Sequence, residues 1–119
     1  MINIMAPVRL NLELTRANLN DDSELILAIG AVMIEDLPML VEDLQTAFAK
    51  SDWETVEFMS HTIRGLASNF QAEPLMQIAE MLETEYEDLS ILEIGKLVTE
   101  ITLASERTIV ALKDELCIR

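Results

Sequence analysis

The chain has 119 residues, an ordinary size for one domain and long enough to bury a core without disulfides or a structural metal. Eight Lys and Arg stand against 22 Asp and Glu, a net charge of −14, which argues against nucleic acid and anionic membrane as partners because each needs a cationic surface. Half the residues are hydrophobic, with only three Gly and three Pro; this excludes a disordered chain and a turn-rich all-β domain.

The single cysteine, Cys117, cannot close an internal disulfide, so a reducing cytoplasm is the expected setting. No apolar run approaches the ~18 residues of a membrane span. The start, Met1 to Pro7, lacks the basic and then apolar pattern of a secretory signal. Residues 1–119 read as a single domain.

In chain order, residues 1–8 read as a loose arm. Arg9 to Ala17 reads as a short helix, with Leu10 and Leu14 one turn apart. The polar run Asn18 to Asp22 breaks it. Asp21 or Asp22 then caps a helix whose first turn holds Glu24, which suits the positive end of the helix dipole. That helix runs from Ser23 to about Lys50 on an apolar pattern of Leu25, Ala28, Ile29, Val32, Met33, Leu37, Leu40, Val41, Leu44 and Phe48. Pro38 inside it predicts a kink or two abutting helices. Ser51 or Asp52 caps the next helix, Trp53 to Asn69. After a connection at residues 71–74, with Pro74 suited to a first turn, Leu75, Ile78, Ala79, Leu82 and Tyr86 carry a helix to about Asp88. Ser90 caps the last helix, with Ile94, Leu97, Val98, Ile101, Ala104, Ile109 and Leu112 as its core face. The sum is an all-α chain: an antiparallel up-down four-helix bundle with a short additional N-terminal helix, expected to be monomeric.

The only histidine, His61, lies on the third helix. On a wheel of ~100° per residue, Val56, Met59, Ile63, Leu66, Ala67 and Phe70 fall roughly 140–240° from it and form the core stripe. Glu57, Arg64, Gly65 and Ser68 fall within about 60° of it. His61 therefore faces away from the core among polar and small neighbours. Gly65 sits mid-helix, where Gly costs ~1 kcal/mol against Ala. At i+4 from His61, its missing side chain is read as leaving the imidazole open to another macromolecule. Arg64, at i+3, sets a guanidinium beside the ring in a chain with few cations, and that group pairs well with phosphoryl oxygens. Phe58 lies about 60° from His61 and either joins an apolar docking patch, with Leu10 and Leu14, or packs against the first helix.

The run Ser60-His61-Thr62-Ile63-Arg64-Gly65-Leu66-Ala67-Ser68-Asn69-Phe70-Gln71-Ala72-Glu73-Pro74-Leu75 resembles the signature of histidine-containing phosphotransfer (HPt) domains. Met33 to Leu40, continuing through Lys50 to Trp53, is similar to that family's helix before the site, and Leu75 to Glu83 to its helix after it. The resemblance covers residues 19–85. It implies a four-helix bundle whose exposed His61 accepts a phosphoryl group from an aspartate of one receiver domain and passes it to another. The implied partners are receiver domains of response regulators and of hybrid histidine kinases. Arg64 stands where the family places a basic residue that neutralises phosphoryl charge, and Gly65 where it places its glycine. Glu83 stands where many members have a Glu or Gln able to hydrogen-bond the imidazole Nδ1. Phe58, Ser68, Leu10 and Leu14 are the candidate partner face. Two departures are visible: Arg64 for the commoner Lys, and Gln71 at a turn where the family commonly has Gly. If that position needs φ > 0, Gln is strained there, unless Asn69 or the loop before Pro74 takes the bend.

The chemistry follows from residue types. A neutral imidazole nitrogen is a nucleophile towards an acyl phosphate, and in-line transfer needs positioning and charge neutralisation. The chain has no Gly-rich phosphate loop and reads as a carrier, not a kinase. It has no cofactor of its own, with Mg²⁺ and the reacting aspartate expected on the partner. The alternative is a helical-bundle adaptor, or a kinase-inhibiting domain, that binds receiver or kinase domains without accepting phosphate. A di-metal carboxylate bundle needs more than one His. Cys117 with His61 lacks an oxyanion architecture. The seven Met residues read as core filler, and the acidic run Glu83 to Asp88 as a solvated helix end.

Overall fold

A computed structural model describes residues 7–118. Five α-helices occupy them: α1 Leu12–Asn18, α2 Ser23–Ala49, α3 Trp53–Ser68, α4 Leu75–Glu85 and α5 Ile91–Leu116, with a 3₁₀ turn at Tyr86–Asp88 between the last two. Among the described residues there is no β-strand, only an isolated bridge between Arg9 and Glu73. Helix α2 packs on α3 and α5, and α4 packs on the same two, so the four long helices close into a ring. Short connections between neighbours make them antiparallel. The axis of the bundle is filled by Met33, Leu37 and Leu44 of α2, Val56 and Ile63 of α3, Leu75, Ile78 and Leu82 of α4, and Ile101 and Leu112 of α5, all without solvent exposure.

Helices α2, α3 and α5 start where their caps predict. Asp22 accepts from Leu25 N–H, and Asp52 from Thr55 N–H. Ser90 forms a reciprocal capping box with Glu93. The boundaries hold two differences from the sequence reading. The first helix begins at Leu12, capped by the Asn11 side chain, not at Arg9. Tyr86 lies in the 3₁₀ turn, not in α4.

Of the two outcomes expected at Pro38, two abutting helices are not found: α2 is one continuous helix, and Pro38 sits on its exposed side, where the ring clashes with no packed neighbour and water can serve the carbonyl it leaves without a donor. Leu25 and Val32 are 42% and 49% exposed, because the buried stripe runs instead through Ile26, Gly30 and Met33. Gly30 is buried because a Cβ there would run into the Leu116 side chain of α5. Pro7 and Val8 line an open recess with Val110 and Ala111 of α5, and Arg9, just beyond the expected arm, exchanges both backbone hydrogen bonds with Glu73. Residues 1–6 of the expected loose arm lie outside the described residues.

This strap and α1 tie down the α3–α4 connection. Asn11 N–H donates to Phe70 C=O. The Thr15 hydroxyl, 1% exposed, lies 2.9 Å from the Asn69 carbonyl and 3.0 Å from its own helix at Asn11. The connection bends at Gln71, with φ 50°. Asn69 remains right-handed helical, so the bend is not displaced to it. Ala72 N–H reaches Ala67 C=O and Gln71 N–H reaches Ser68 C=O, the paired bonds that close a helix when the next residue is left-handed. The Gln71 amide adds a bond of 2.9 Å to Ser68 C=O.

Two stability measurements check this account. Thr15→Val removes the hydroxyl at constant shape and should lower the unfolding free energy by about 1 kcal/mol, read by urea denaturation; no loss would mean that α1 does not brace the connection. At residue 71, Gly should be more stable than Ala by about 1 kcal/mol, since both lose the amide bond and only Gly is relieved of the left-handed backbone.

Candidate functional site

Helix α3 carries the site, and its phase is set by its apolar stripe. Val56, Ile63 and Ala67 are fully buried, which turns the opposite face outward. The helix is anchored at its start by Asp52, whose carboxylate takes the Thr55 N–H and, at 2.6 Å, the Thr55 hydroxyl. These bonds, that to the hydroxyl first, hold the Asp52 carboxyl below its ordinary range. Ser60, directly before the histidine, is buried and turns its hydroxyl back to Val56 C=O. His61, one residue on, leaves its side chain 58% exposed.

One edge of the imidazole is gripped. Nδ1 lies 2.6 Å from Glu83 Oε2, across the packed α3–α4 pair. The other oxygen of the same carboxylate, Oε1, is paired with Arg64 Nε at 2.8 Å. Arg64 Nη2 lies 3.3 Å from Nδ1. A guanidinium has only donors, so a proton on Nδ1 can go to the carboxylate and not to Arg64. The shorter distance and the charge complementarity assign Nδ1 as donor to Glu83. In that tautomer Nε2 has its lone pair free. Glu83 is 17% exposed and Arg64 36%, so the carboxylate is the recessed, better fixed member of the three.

The ring lines one side of an open recess whose other walls are Glu54, Thr55, Glu57, Phe58 and Glu83. Phe58 is 61% exposed; it stands beside the histidine and does not pack away against α1. Ser68 uses its hydroxyl internally, at 2.6 Å from Gly65 C=O. Leu10 is partly buried and packs against the core, while Leu14 is 38% exposed; neither lines the recess. The role expected for Gly65 is also refined. A Cβ there would meet nothing within 4 Å, so alanine would not crowd the ring as the i+4 spacing suggests. What Gly65 leaves open is the surface outside the molecule.

Sequence reasoning missed the partnership of Tyr86 with Glu57. The Glu57 and Glu87 carboxylates both act on the phenol, and hydrogen bonding to Glu57 leads the causes that push its pKa up to about 12. The sole available signal was Glu57 one turn before His61; Tyr86 reads as another apolar position of α4. Tyr86 is the chain's single tyrosine, so its ultraviolet titration is unambiguous. The midpoint should lie near 12, and Glu57→Gln should lower it towards 10.0, the ordinary value. Because folding favours the neutral phenol, that contribution to stability is complete below pH 10.0 and fades as pH rises towards 12. An unchanged midpoint in the variant would show that Glu57 does not hold the phenol.

The comparisons with known proteins speak to the family and the fold. No curated protein matches the chain at a significant level. Among solved structures, the chain is similar to the crystal structure of the HPT domain of a sensor hybrid histidine kinase from Shewanella, with a TM-score of 0.75 over 91% of this chain and 93% of that one. The sequence identity is 22%, so this likeness speaks to the fold alone. The Hpt domain family matches residues 29–116, a stretch that holds His61, Arg64, Gly65 and Glu83 together, and the chain belongs to that family.

Proposed function

We propose that the chain carries a phosphoryl group on His61 Nε2, taking it from an aspartyl phosphate of one receiver domain and giving it to the aspartate of another in a multistep phosphorelay. The observation that carries this reading is the 2.6 Å contact of Nδ1 with Glu83, made by a ring that is otherwise more than half exposed. The carboxylate holds the proton on Nδ1 and fixes the ring plane, so the free nitrogen is the one that faces outward. This is the logic of a nucleophile oriented by a third group.

In the forward step the Nε2 lone pair attacks phosphorus. The N–P bond forms as the P–O bond to the donor aspartate breaks, and that aspartate leaves as a carboxylate. The Nδ1 proton stays in place, and the positive charge gained by the ring faces Glu83. Transfer to the next aspartate reverses each change. Nothing in this sequence requires the chain to supply a base, because no proton leaves the ring. Mg²⁺ and the reacting aspartate are assigned to the receiver. Phe58 and the recess beside His61 are the surface against which that receiver seats. Among the described residues no helix is long and apolar enough to cross a membrane, and a cytoplasmic carrier meeting cytoplasmic receivers is the setting this reading assigns.

The test charges a panel of receiver domains with labelled phosphate in the presence of Mg²⁺ and presents them to the purified chain. Label should move to the wild type, be stable in base and lost in acid, and be absent from His61→Gln. Phe58→Ala should slow transfer from the cognate receiver roughly tenfold, the loss of about 1.4 kcal/mol of docking energy. A receiver that binds the chain tightly yet transfers nothing would favour a non-phosphorylated adaptor and overturn the carrier reading.

A further inference from the structure

We propose that Arg64 exchanges partners during the reaction: it rests on Glu83 while His61 is free and moves to the phosphoryl group once His61 carries it. The inference rests on the carrier reading and adds a device to it. The resting geometry does not place Arg64 where charge neutralisation alone would put it. Its Nε lies 2.8 Å from Glu83 Oε1 as an ion pair without the alignment of a hydrogen bond, and its Nη2 is 3.3 Å from Nδ1, the nitrogen that does not react. The guanidinium therefore sits on the back edge of the ring, away from Nε2.

Counting charge before and after transfer shows why it cannot remain there. In the free protein one carboxylate faces one guanidinium and a neutral ring, and its two oxygens serve both neighbours. When the N–P bond forms, Nε2 gives up its lone pair. The ring keeps the Nδ1 proton and becomes cationic, while a doubly anionic phosphoryl group appears on the outer nitrogen. Glu83 is then needed by the imidazolium. Arg64, close to Nδ1, becomes a like charge beside that cation, and the unneutralised anion lies a ring's width away. Moving the guanidinium from Oε1 to phosphoryl oxygens relieves the repulsion and supplies the bidentate pairing for which Arg is suited.

The burial pattern fits a recessed carboxylate and a cation that is buried at Nε but more exposed over its side chain as a whole. Glu83 is 17% exposed and Arg64 36%, and the surface at Gly65, next to Arg64 in the chain, has nothing within 4 Å of a Cβ position. The motion is a side-chain rotation at the helix surface and needs no backbone change.

The test reads the Arg64 Nε–H signal by NMR in the ¹⁵N-arginine-labelled chain, assigned by its disappearance in Arg64→Lys. Small-molecule phosphoramidate is the donor: its P–N bond breaks, ammonia leaves with a proton from solvent, and the N–P bond forms at Nε2. The His61→Gln chain treated identically is the control. Phosphorylation of the wild type should shift the Nε–H signal away from its resting position beside the carboxylate, and the Nδ1–H signal should persist. Glu83→Gln, unphosphorylated, should shift the Arg64 signal in the absence of any phosphate. An Nε–H signal that stays in place in the phosphorylated wild type overturns the exchange. Because phosphoramidate needs no receiver, a chain that shows the shift yet accepts nothing from any receiver would uphold the exchange and sink the relay reading. A His61 that phosphoramidate does not label would overturn both, since both require an open Nε2.

Discussion

One carboxylate, that of Glu83, holds the functional face together. It reaches from α4 to α3, takes the imidazole Nδ1 on one oxygen and the Arg64 guanidinium on the other. Without it an exposed ring would rotate about its χ angles and divide between tautomers. With it, the ring has one orientation, one protonated nitrogen and, in the proposed function, one reactive edge. Because Glu83 is largely recessed, its bonds are screened less than those of a surface ion pair.

The bundle serves to keep that bridge in register. Glu83 follows buried Leu82, and His61 follows buried Ser60. The same apolar residues that bury the α3–α4 contact thus set the distance from carboxylate to ring. The connection between these two helices is a point at which register could be lost. It is held by the bonds between residues 67 and 72, by the Gln71 amide and by the strap from Arg9 to Thr15. The strap lies before residue 29, where the match to the Hpt family begins. The part of the chain that carries the chemistry is braced by a part that lies outside the family's match.

Much of this was legible in the sequence because it depends on periodicity. The apolar positions of α3, α4 and α5 predict their buried faces, and the polar arc around His61 predicts its exposure. The family resemblance put Glu83 beside Nδ1, where the structure has it. What stayed hidden depends on single contacts or on backbone strain. Asn20, Asp21, Ser51 and Cys117 adopt positive φ, as does Gln71, the one such position that the family resemblance marks, whereas none of the glycines described does, so glycine did not signal the helix ends. The α2 stripe slipped from Leu25 and Val32 to Ile26 and Gly30 because close approach to α5 selects the glycine, which no hydropathy pattern ranks as core. Thr15 reads as a polar surface residue until its partner, 54 positions along the chain, is known. Tyr86 and Glu57 meet for the same reason: they are neighbours only after α4 folds back on α3.

The most direct measurement of the account's central claim is the protonation state of His61 in the free protein. The ring nitrogen shifts of ¹⁵N-histidine-labelled chain report it without ambiguity, since His61 is the single histidine. At a pH where the ring is neutral, Nδ1 should appear protonated and Nε2 bare, and Glu83→Gln should weaken that preference. A ring that carries its proton on Nε2 would have its nucleophile turned into the carboxylate, and would contradict the account of this site.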